Sequence, residues 1–242
     1  MQDKASHSLG EAAQARYYQH SRREIRSLLP KTASRILDIG AGGGYTLRWL
    51  KTIYPNATTT GIELNVNLRS QLELNADEVI FGNIDECMPQ LETFDLILLL
   101  DVLEHVPDST STLQRISRLL SVNGRVIVSV PNVAHLSVTL PLLFGRKFTY
   151  RDSGIMDRTH LRFFVEDTAV KLLNDANLIV IDGLISGVEG SKSQLLDTLS
   201  FGLLRHHLTK QYIMLGEANG GNLVQPRVNW KVIDRSAFSQ TS

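Results

Sequence analysis

The stretch "RILDIGAGGGYTL", Arg35 to Leu47, decides the reading of this chain. A short apolar run carries one carboxylate, Asp38, and is followed by Gly40 to Gly44, all glycine or alanine, and then by a helical pattern. Missing side chains let the backbone approach a ligand, and a helix N-terminus offers free N–H donors and a positive dipole end. The turn is therefore read as a binding loop between a first strand and a first helix. A plain tight turn, with Asp38 capping the helix, is the alternative that the neighbouring residues must exclude.

Two ligand types rest on such a turn. A dinucleotide places its pyrophosphate there under a GxGxxG fingerprint. Gly40 and Gly42 fit that spacing, but Tyr45 occupies the third glycine position and Asp38 would repel a phosphate. The second type has no phosphate but carries an ammonium, a carboxylate and a ribose, as S-adenosyl-L-methionine does. Its ammonium calls for an acceptor such as Asp38, and its ribose diol for a carboxylate. Glu63, closing "TTTGIEL", stands where a second strand of a doubly wound sheet delivers one.

Outward from the turn the chain alternates. Strands are expected at "RILDI", "TTTGIEL", "EVIFG", "FDLILLL", "RVIVSV", "LIVIDGLIS" and "QYIMLGEA", with helical patterns such as "YTLRWLKTIY" and "TSTLQRISRLL" between them. This rhythm predicts a doubly wound, seven-stranded, mostly parallel α/β sheet, with "LILLL" central because it lacks alternation. "VNG", at residues 122–124, reads as a turn. Residues 1–30 form a helical N-terminal cover, 31–218 the main domain with a lid insertion at about 131–165, and 219–242 a polar tail expected to fray. In the cover, Tyr17 and Tyr18 are candidates to close over the ligand, and the "RR" of "HSRREIR" reads as a solvated face.

Composition narrows the partners. Lys+Arg and Asp+Glu are equal at 25 each, so no overall field recruits nucleic acid or an anionic membrane. The lone Cys87 forms no internal disulfide, the N-terminus lacks a secretory apolar core, and "FDLILLL" is too short to span a bilayer. A cytoplasmic protein without a membrane span is expected, acting on a small molecule, with a homodimer left open. No Cys, His or carboxylate cluster has metal-ligand spacing, so no metal is expected.

"ILDIGAGGG" with "GIEL", then "VIFGNIDE", "FDLILLLDVLEHVPD", "GRVIVSVPN" and "DRTHLRFF", resemble the ordered motifs of class I S-adenosylmethionine-dependent methyltransferases. The likeness runs from about Tyr17 to Ile185. It is greatest to small-molecule enzymes of the ubiquinone-biosynthesis O-methyltransferase type. The resemblance implies that Asp38, Gly40, Gly42 and Gly44 frame the methionine end. Glu63, with Leu64, holds the ribose, and adenine lies near Asn83 and Ile84. The family usually has aspartate at the Asn83 position; an amide oxygen also accepts. Leu100 and Asp101 lie beside the sulfonium, with packing and turn capping as their other roles.

Methyl transfer to a hydroxyl needs positioning first and then a proton acceptor, for which histidine is suited near neutral pH. His160, in "DRTHLRFF", is the first candidate base and His135, in "PNVAH", the second; ordering the lid is the alternative task for either. His105 is read as a capping or packing residue. Asp157 and Arg158 are candidates to orient His160 or bind a polar acceptor, with a surface or lid salt bridge as the alternative, and Phe148, Tyr150 and Arg151 to wall the acceptor site, with packing as theirs. The expected function is O-methylation of a sugar, glycan precursor or hydroxylated metabolite. The rivals are an NAD-linked oxidoreductase and a non-catalytic methyltransferase-fold binding protein.

Overall fold

The computed structural model describes residues 21–88, 92–221 and 224–233. The strands are β1 (Arg35–Ile39), β2 (Thr58–Glu63), β3 (Glu78–Phe81), β4 (Phe94–Leu100), β5 (Leu120–Pro131), β6 (Leu178–Ser186), β7 (Gln211–Ala218) and β8 (Trp230–Val232). The helices are α1 (Tyr45–Ile53), α2 (Arg69–Asn75), α3 (Ile84–Cys87), α4 (Ser109–Ser117), α5 (Leu136–Gly145), α6 (Glu166–Asp175), α7 (Ser191–Leu199) and α8 (Arg205–Leu208).

The strands form one mixed sheet in the order β3-β2-β1-β4-β5-β7-β6-β8. Pairing is parallel from β3 to β5, while β7 runs antiparallel to both neighbours. β4 lies between β1 and β5, and Leu96 to Leu99 are fully buried, which explains the unbroken apolar run. One core on one face joins α4 and α6 to the sheet through Leu113, Ile116, Ala169 and Leu173. The other joins α1, α2 and the short 3-10 helix Arg23–Leu28 through Leu47, Leu50, Leu72, Ile25 and Leu28. The chain leaves β3 at one edge and returns to β4 beside β1, so the strand order reverses there. Such a switch point opens a crevice at the carboxyl ends of the strands.

The structure differs from the sequence reading in three places here. The sheet has eight strands, not seven, because the tail does not fray where expected. Gln225 bonds both the N–H and the carbonyl of Val180, at 2.8 and 2.9 Å, and Trp230 to Val232 pair with Gly183 to Ile185. Gly183 makes this possible, since a Cβ there would meet the Trp230 ring at 2.6 Å. "VNG" lies inside β5, with a register irregularity opposite Phe94–Leu96 and Asn123 at φ 65°. The expected irregular insertion contains the ten-residue helix α5. Of the N-terminal cover, residues 1–20, including Tyr17 and Tyr18, lie outside the described residues.

Candidate active site

β1, β2 and β4 end side by side, with Ile39 paired to Ile62 on one side and Leu99 on the other. The glycine turn follows directly. Gly40, Gly42 and Gly44 have φ of 74°, 55° and 77°, a backbone region that costs any residue with a Cβ. Their reasons differ. A Cβ on Gly44 would meet Leu72 at 2.8 Å and Asn75 at 2.9 Å, so this glycine seats α2 against the N-terminus of α1. One on Gly40 would meet the Val102 side chain after β4.

The turn is held by β2. Gly40 and Ala41 donate to the Ile62 carbonyl at 2.8 and 3.0 Å, and Gly42 donates to Glu63 Oε2 at 2.8 Å. Glu63 Oε1 accepts from the Asn65 N–H at 2.8 Å. Two of the roughly four acceptor positions of this buried carboxylate remain open, enough for a diol. The N–H groups of Gly40, Ala41 and Gly42 are thus spent inside the protein.

Asp38 is buried and makes no capping bond, for the N-cap of α1 is Gly44 and receives no side-chain bond. Burial, with Glu63 adding to it and Arg22 opposing, pushes its carboxyl up to about 7. Such a group is uncomfortable as an anion until a cation reaches it. Asn83 caps α3, its side-chain oxygen accepting from Asp85 N–H at 3.0 Å. Ile84 is buried beside it, and Leu64 is exposed.

Leu100 is half-buried, and Asp101 adopts φ 60°, a strained value for aspartate that often marks a functional position. Its carboxylate accepts from Arg22 Nη1 at 2.7 Å, from Ser129 Oγ at 3.0 Å and from Gln211 Nε2. Arg22 also reaches Glu24, and Ser129 Oγ and Gln211 at 3.3 Å each. The "RR" pair is therefore not a solvated face: Arg22, with a side chain only 14% exposed, enters the end of the sheet, and the sequence reading missed it.

The acceptor side forms where the insertion returns. Leu161 and Arg162 donate to the Glu104 carbonyl at 2.8 and 3.0 Å, bringing His160 onto the turn after β4. The His105 and His160 rings meet edge to face, centroids 4.8 Å apart. His160 Nδ1 lies 3.1 Å from the Ile155 carbonyl, which fixes its proton on Nδ1 and leaves Nε2 to accept. Burial and His105 hold its pKa below the usual histidine value, against Ile155, Asp157 and Asp101. Asp157 binds the Thr159 N–H and hydroxyl at 2.8 and 2.7 Å, shaping the turn that presents His160.

Glu104 is buried, its Oε2 has no partner, and burial followed by the nearby Asp101 raises its carboxyl well above the ordinary range. Glu104, His105 and His160 offer ligand atoms all within 4.8 Å of one another, a two-histidine, one-carboxylate set that could hold a divalent cation. Linear spacing could not reveal it, because His160 joins from a distant segment.

His135 has another task. Its Nδ1 accepts from the Ser137 N–H at 3.1 Å as the N-cap of α5, and burial and Lys210 lower its pKa. Arg158 pairs with Asp152 on the surface. Phe148, Tyr150 and Phe163 gather with centroids 5.8 to 6.4 Å apart.

A family profile described as "Methyltransferase domain" matches residues 12–182. The chain belongs to that family. The chain thus carries a methyltransferase domain. The site's residues fit S-adenosyl-L-methionine as a ligand: a buried carboxylate suits an ammonium, and Glu63 has open acceptor positions that suit a ribose diol. Ubiquinone biosynthesis O-methyltransferase of Bradyrhizobium diazoefficiens is 28% identical over 66% of this chain and 64% of its own length. The protein of that name from Azorhizobium caulinodans is 32% identical over 54% of this chain and 53% of its own length. The matches thus span between about half and two thirds of these relatives. Among solved structures, a SAM-dependent methyltransferase from Archaeoglobus fulgidus has a TM-score of 0.56 at 16% identity, covering 85% of this chain and 93% of that one. The O-methyltransferase of a trans-AT polyketide synthase from Brevibacillus brevis, in complex with S-adenosyl-L-homocysteine, scores 0.52 at 14% identity, over 81% and 71% of the two chains. Likeness at these identities shows the Rossmann-like methyltransferase fold of this methyltransferase.

Proposed function

We propose that this methyltransferase moves the methyl group of S-adenosyl-L-methionine to a hydroxyl oxygen of a polar small molecule, such as a sugar, a glycan precursor or a hydroxylated metabolite. The observation that carries this is His160 on the turn after β4: its Nδ1 faces the Ile155 carbonyl, which turns Nε2 to accept a proton, and burial with His105 lowers its pKa from the usual histidine value. The relatives' printed name, O-methyltransferase, supports oxygen as the acceptor atom.

When bound, the cofactor supplies an electrophilic methyl on sulfur. Asp38 accepts from its ammonium. Arg22 meets its carboxylate, because the turn's first N–H groups are already bonded. Glu63, with Leu64, would take the ribose hydroxyls, Asn83 and Ile84 would receive the adenine edge, and Leu100 and Asp101 would lie beside the sulfur. The acceptor lies under the insertion of about 131–165, which acts as a lid. His160 Nε2 removes the hydroxyl proton as oxygen attacks, and Phe148, Tyr150 and Phe163 exclude water. Positioning is worth about 7 to 11 kcal/mol in such a transfer, against a hundredfold to ten-thousandfold for a base. Loss of His160 therefore slows the reaction without abolishing donor binding.

The test is calorimetry with S-adenosyl-L-homocysteine, followed by a product-release assay across glycan precursors and phenols. Absence of binding at millimolar ligand would sink the reading. Competition by NADH would favour the oxidoreductase instead, which Asp38 before the turn and Tyr45 at the third glycine position oppose. Donor binding without turnover on any hydroxylated compound would favour a binding protein.

A further inference from the structure

The second arginine of the "RR" pair does not follow the first. Arg22 points into the strand ends, while its backbone N–H donates to Thr46 Oγ1 at 3.2 Å and clasps the 3-10 helix Arg23–Leu28 to the first turn of α1. A 3-10 helix has three residues per turn, so residues three apart eclipse one another. Ile25 and Leu28 form one such row and enter the core; Arg23 and Arg26 form another, turned away from it. On α1, Tyr45, Arg48, Trp49 and Thr52 fall at i, i+3, i+4 and i+7, one stripe of a helix whose Leu47 and Leu50 are buried in that core. The two rows, with Ser21, line an open cavity of about 560 Å³. This lies within the roughly 300–1,000 Å³ of small-ligand sites.

The lining is cationic and holds no acid. Between Ser21 and Thr52 there are seven Lys or Arg against two acids, and both acids are committed elsewhere: Glu24 pairs with Arg22, and Asp38 is buried in β1. Acids of neighbouring elements are taken as well, Asp77 by Lys51 and Glu92 by Arg35. The side chains of Arg26 and Arg48 are exposed and form no ion pair with a described residue. Guanidinium forks match the paired oxygens of a phosphate, and three of them around one space call for a multiply charged anion. The remaining walls suit an organic body on that anion. Tyr45 and the edge of Trp49 add apolar surface, and Ser21 Oγ, which accepts from Arg23 Nε at 3.1 Å, keeps its own proton to donate.

We propose that this cavity is a second binding site, distinct from the methyl-donor site, for a small phosphorylated organic compound, a phosphate monoester or a diphosphate whose phosphate lies among Arg23, Arg26 and Arg48. Consecutive residues thus serve two sites, Arg22 at the strand ends and Arg23 at the cavity. The inference does not depend on the acceptor or on methyl transfer.

The experiment is calorimetry of the full chain with glucose 1-phosphate and with pyrophosphate, with glucose and citrate as controls, each run with and without saturating S-adenosyl-L-homocysteine. One-to-one binding of the phosphates, weakened by salt and kept in the presence of S-adenosyl-L-homocysteine, is expected. Binding of glucose 1-phosphate alone narrows the ligand to monoesters, and of pyrophosphate alone to diphosphates. Arg26→Gln and Arg48→Gln should each weaken binding about tenfold, since each removes a charged hydrogen bond. Arg118→Gln, at the end of α4 on the other face of the sheet, should leave it unchanged. All three positions are exposed, and the variants should keep the parent's melting temperature, which shows that they fold. Binding of neither phosphate at millimolar concentration, citrate binding as tightly as pyrophosphate, or binding unchanged in both cavity variants overturns the proposal. So does phosphate binding that S-adenosyl-L-homocysteine displaces, which would assign the phosphate to the donor site. Failure of S-adenosyl-L-homocysteine itself to bind overturns the donor reading and leaves the phosphate result to be judged by the arginine variants.

Discussion

Replacing Asp38 with asparagine should stabilise the empty protein and cripple its use of the donor. The Asp38 carboxyl is buried and held up at about 7 from its ordinary 3.8, burial and Glu63 outweighing Arg22. Between those two values the folded state holds a proton that the unfolded state has released, so stability falls as pH rises through this window. Above pH 7 the charge costs the fold about 4 kcal/mol, and at pH 5 about 1.5 kcal/mol. Asp38→Asn keeps the shape and removes that cost. At about 2–4 °C per kcal/mol for a chain of this size, it should melt up to about 10 °C above the parent at pH 8, with a smaller gap at pH 5. Calorimetry with S-adenosyl-L-homocysteine should show the reverse, a loss of roughly tenfold or more, since a charged hydrogen bond contributes about 1.5–3 kcal/mol. A variant that melts below the parent at pH 8, or that binds the ligand as tightly, would refute the argument that Asp38 is an anion kept for a cationic ligand.

Glu63→Gln turns one acceptor into a donor facing the N–H of Gly42 or Asn65; both melting temperature and S-adenosyl-L-homocysteine affinity should fall, the latter roughly tenfold to a hundredfold. Gly44→Ala must adopt φ 77° and displace Leu72 or Asn75, so it should lose more than about 1 kcal/mol in urea unfolding while α1 survives. His160→Asn should lower kcat by about a hundredfold or more with donor affinity unchanged. Because the pKa of His160 is lowered, the parent's rate should stay level through neutral pH and fall only below about pH 6.5, an acid limb the variant lacks. Arg22→Gln leaves Asp101 without its cation, and should weaken binding of S-adenosyl-L-homocysteine while sparing adenosine, which has no carboxylate.

The strands around the site were legible because each is a short apolar run that carries a carboxylate within it or at its end, Asp38 in β1, Glu63 in β2 and Asp101 just after β4. β8 was not: "WKV" lies in a polar tail, and its place depends on the space above Gly183 and on the contact of Trp230 with Tyr212, which only the folded sheet provides. α5 escaped because its apolar residues fall on several sides of the helix and leave no clear period to detect. At the site, Asp38, Glu63 and the glycines could be read from position along the chain. Arg22, Glu104 and His105 could not. Arg22 looks like half of an exposed basic pair until the chain turns it onto Asp101. Glu104 is buried only because Leu161 and Arg162 lie across its backbone.

The charges at the crevice also say what they cannot do for the reaction. Asp38, Glu63 and Asp101 outnumber Arg22, a field that suits a ligand bearing an ammonium and a sulfonium. In the proposed transfer the positive charge on sulfur declines as the bond to oxygen forms, so these carboxylates hold the ground state at least as well as the transition state. Interactions of that kind give affinity, not rate. Arg22 limits the excess by neutralising Asp101, the acid at the end of β4. The rate must then come from groups that act on the acceptor: the histidine pair, whose neutral His160 gains charge only as the hydroxyl loses its proton, and the insertion that fixes the acceptor in line. That division explains why the donor residues sit on rigid strand ends while His160 arrives on a turn held by Asp157, Ile155 and the backbone of Glu104.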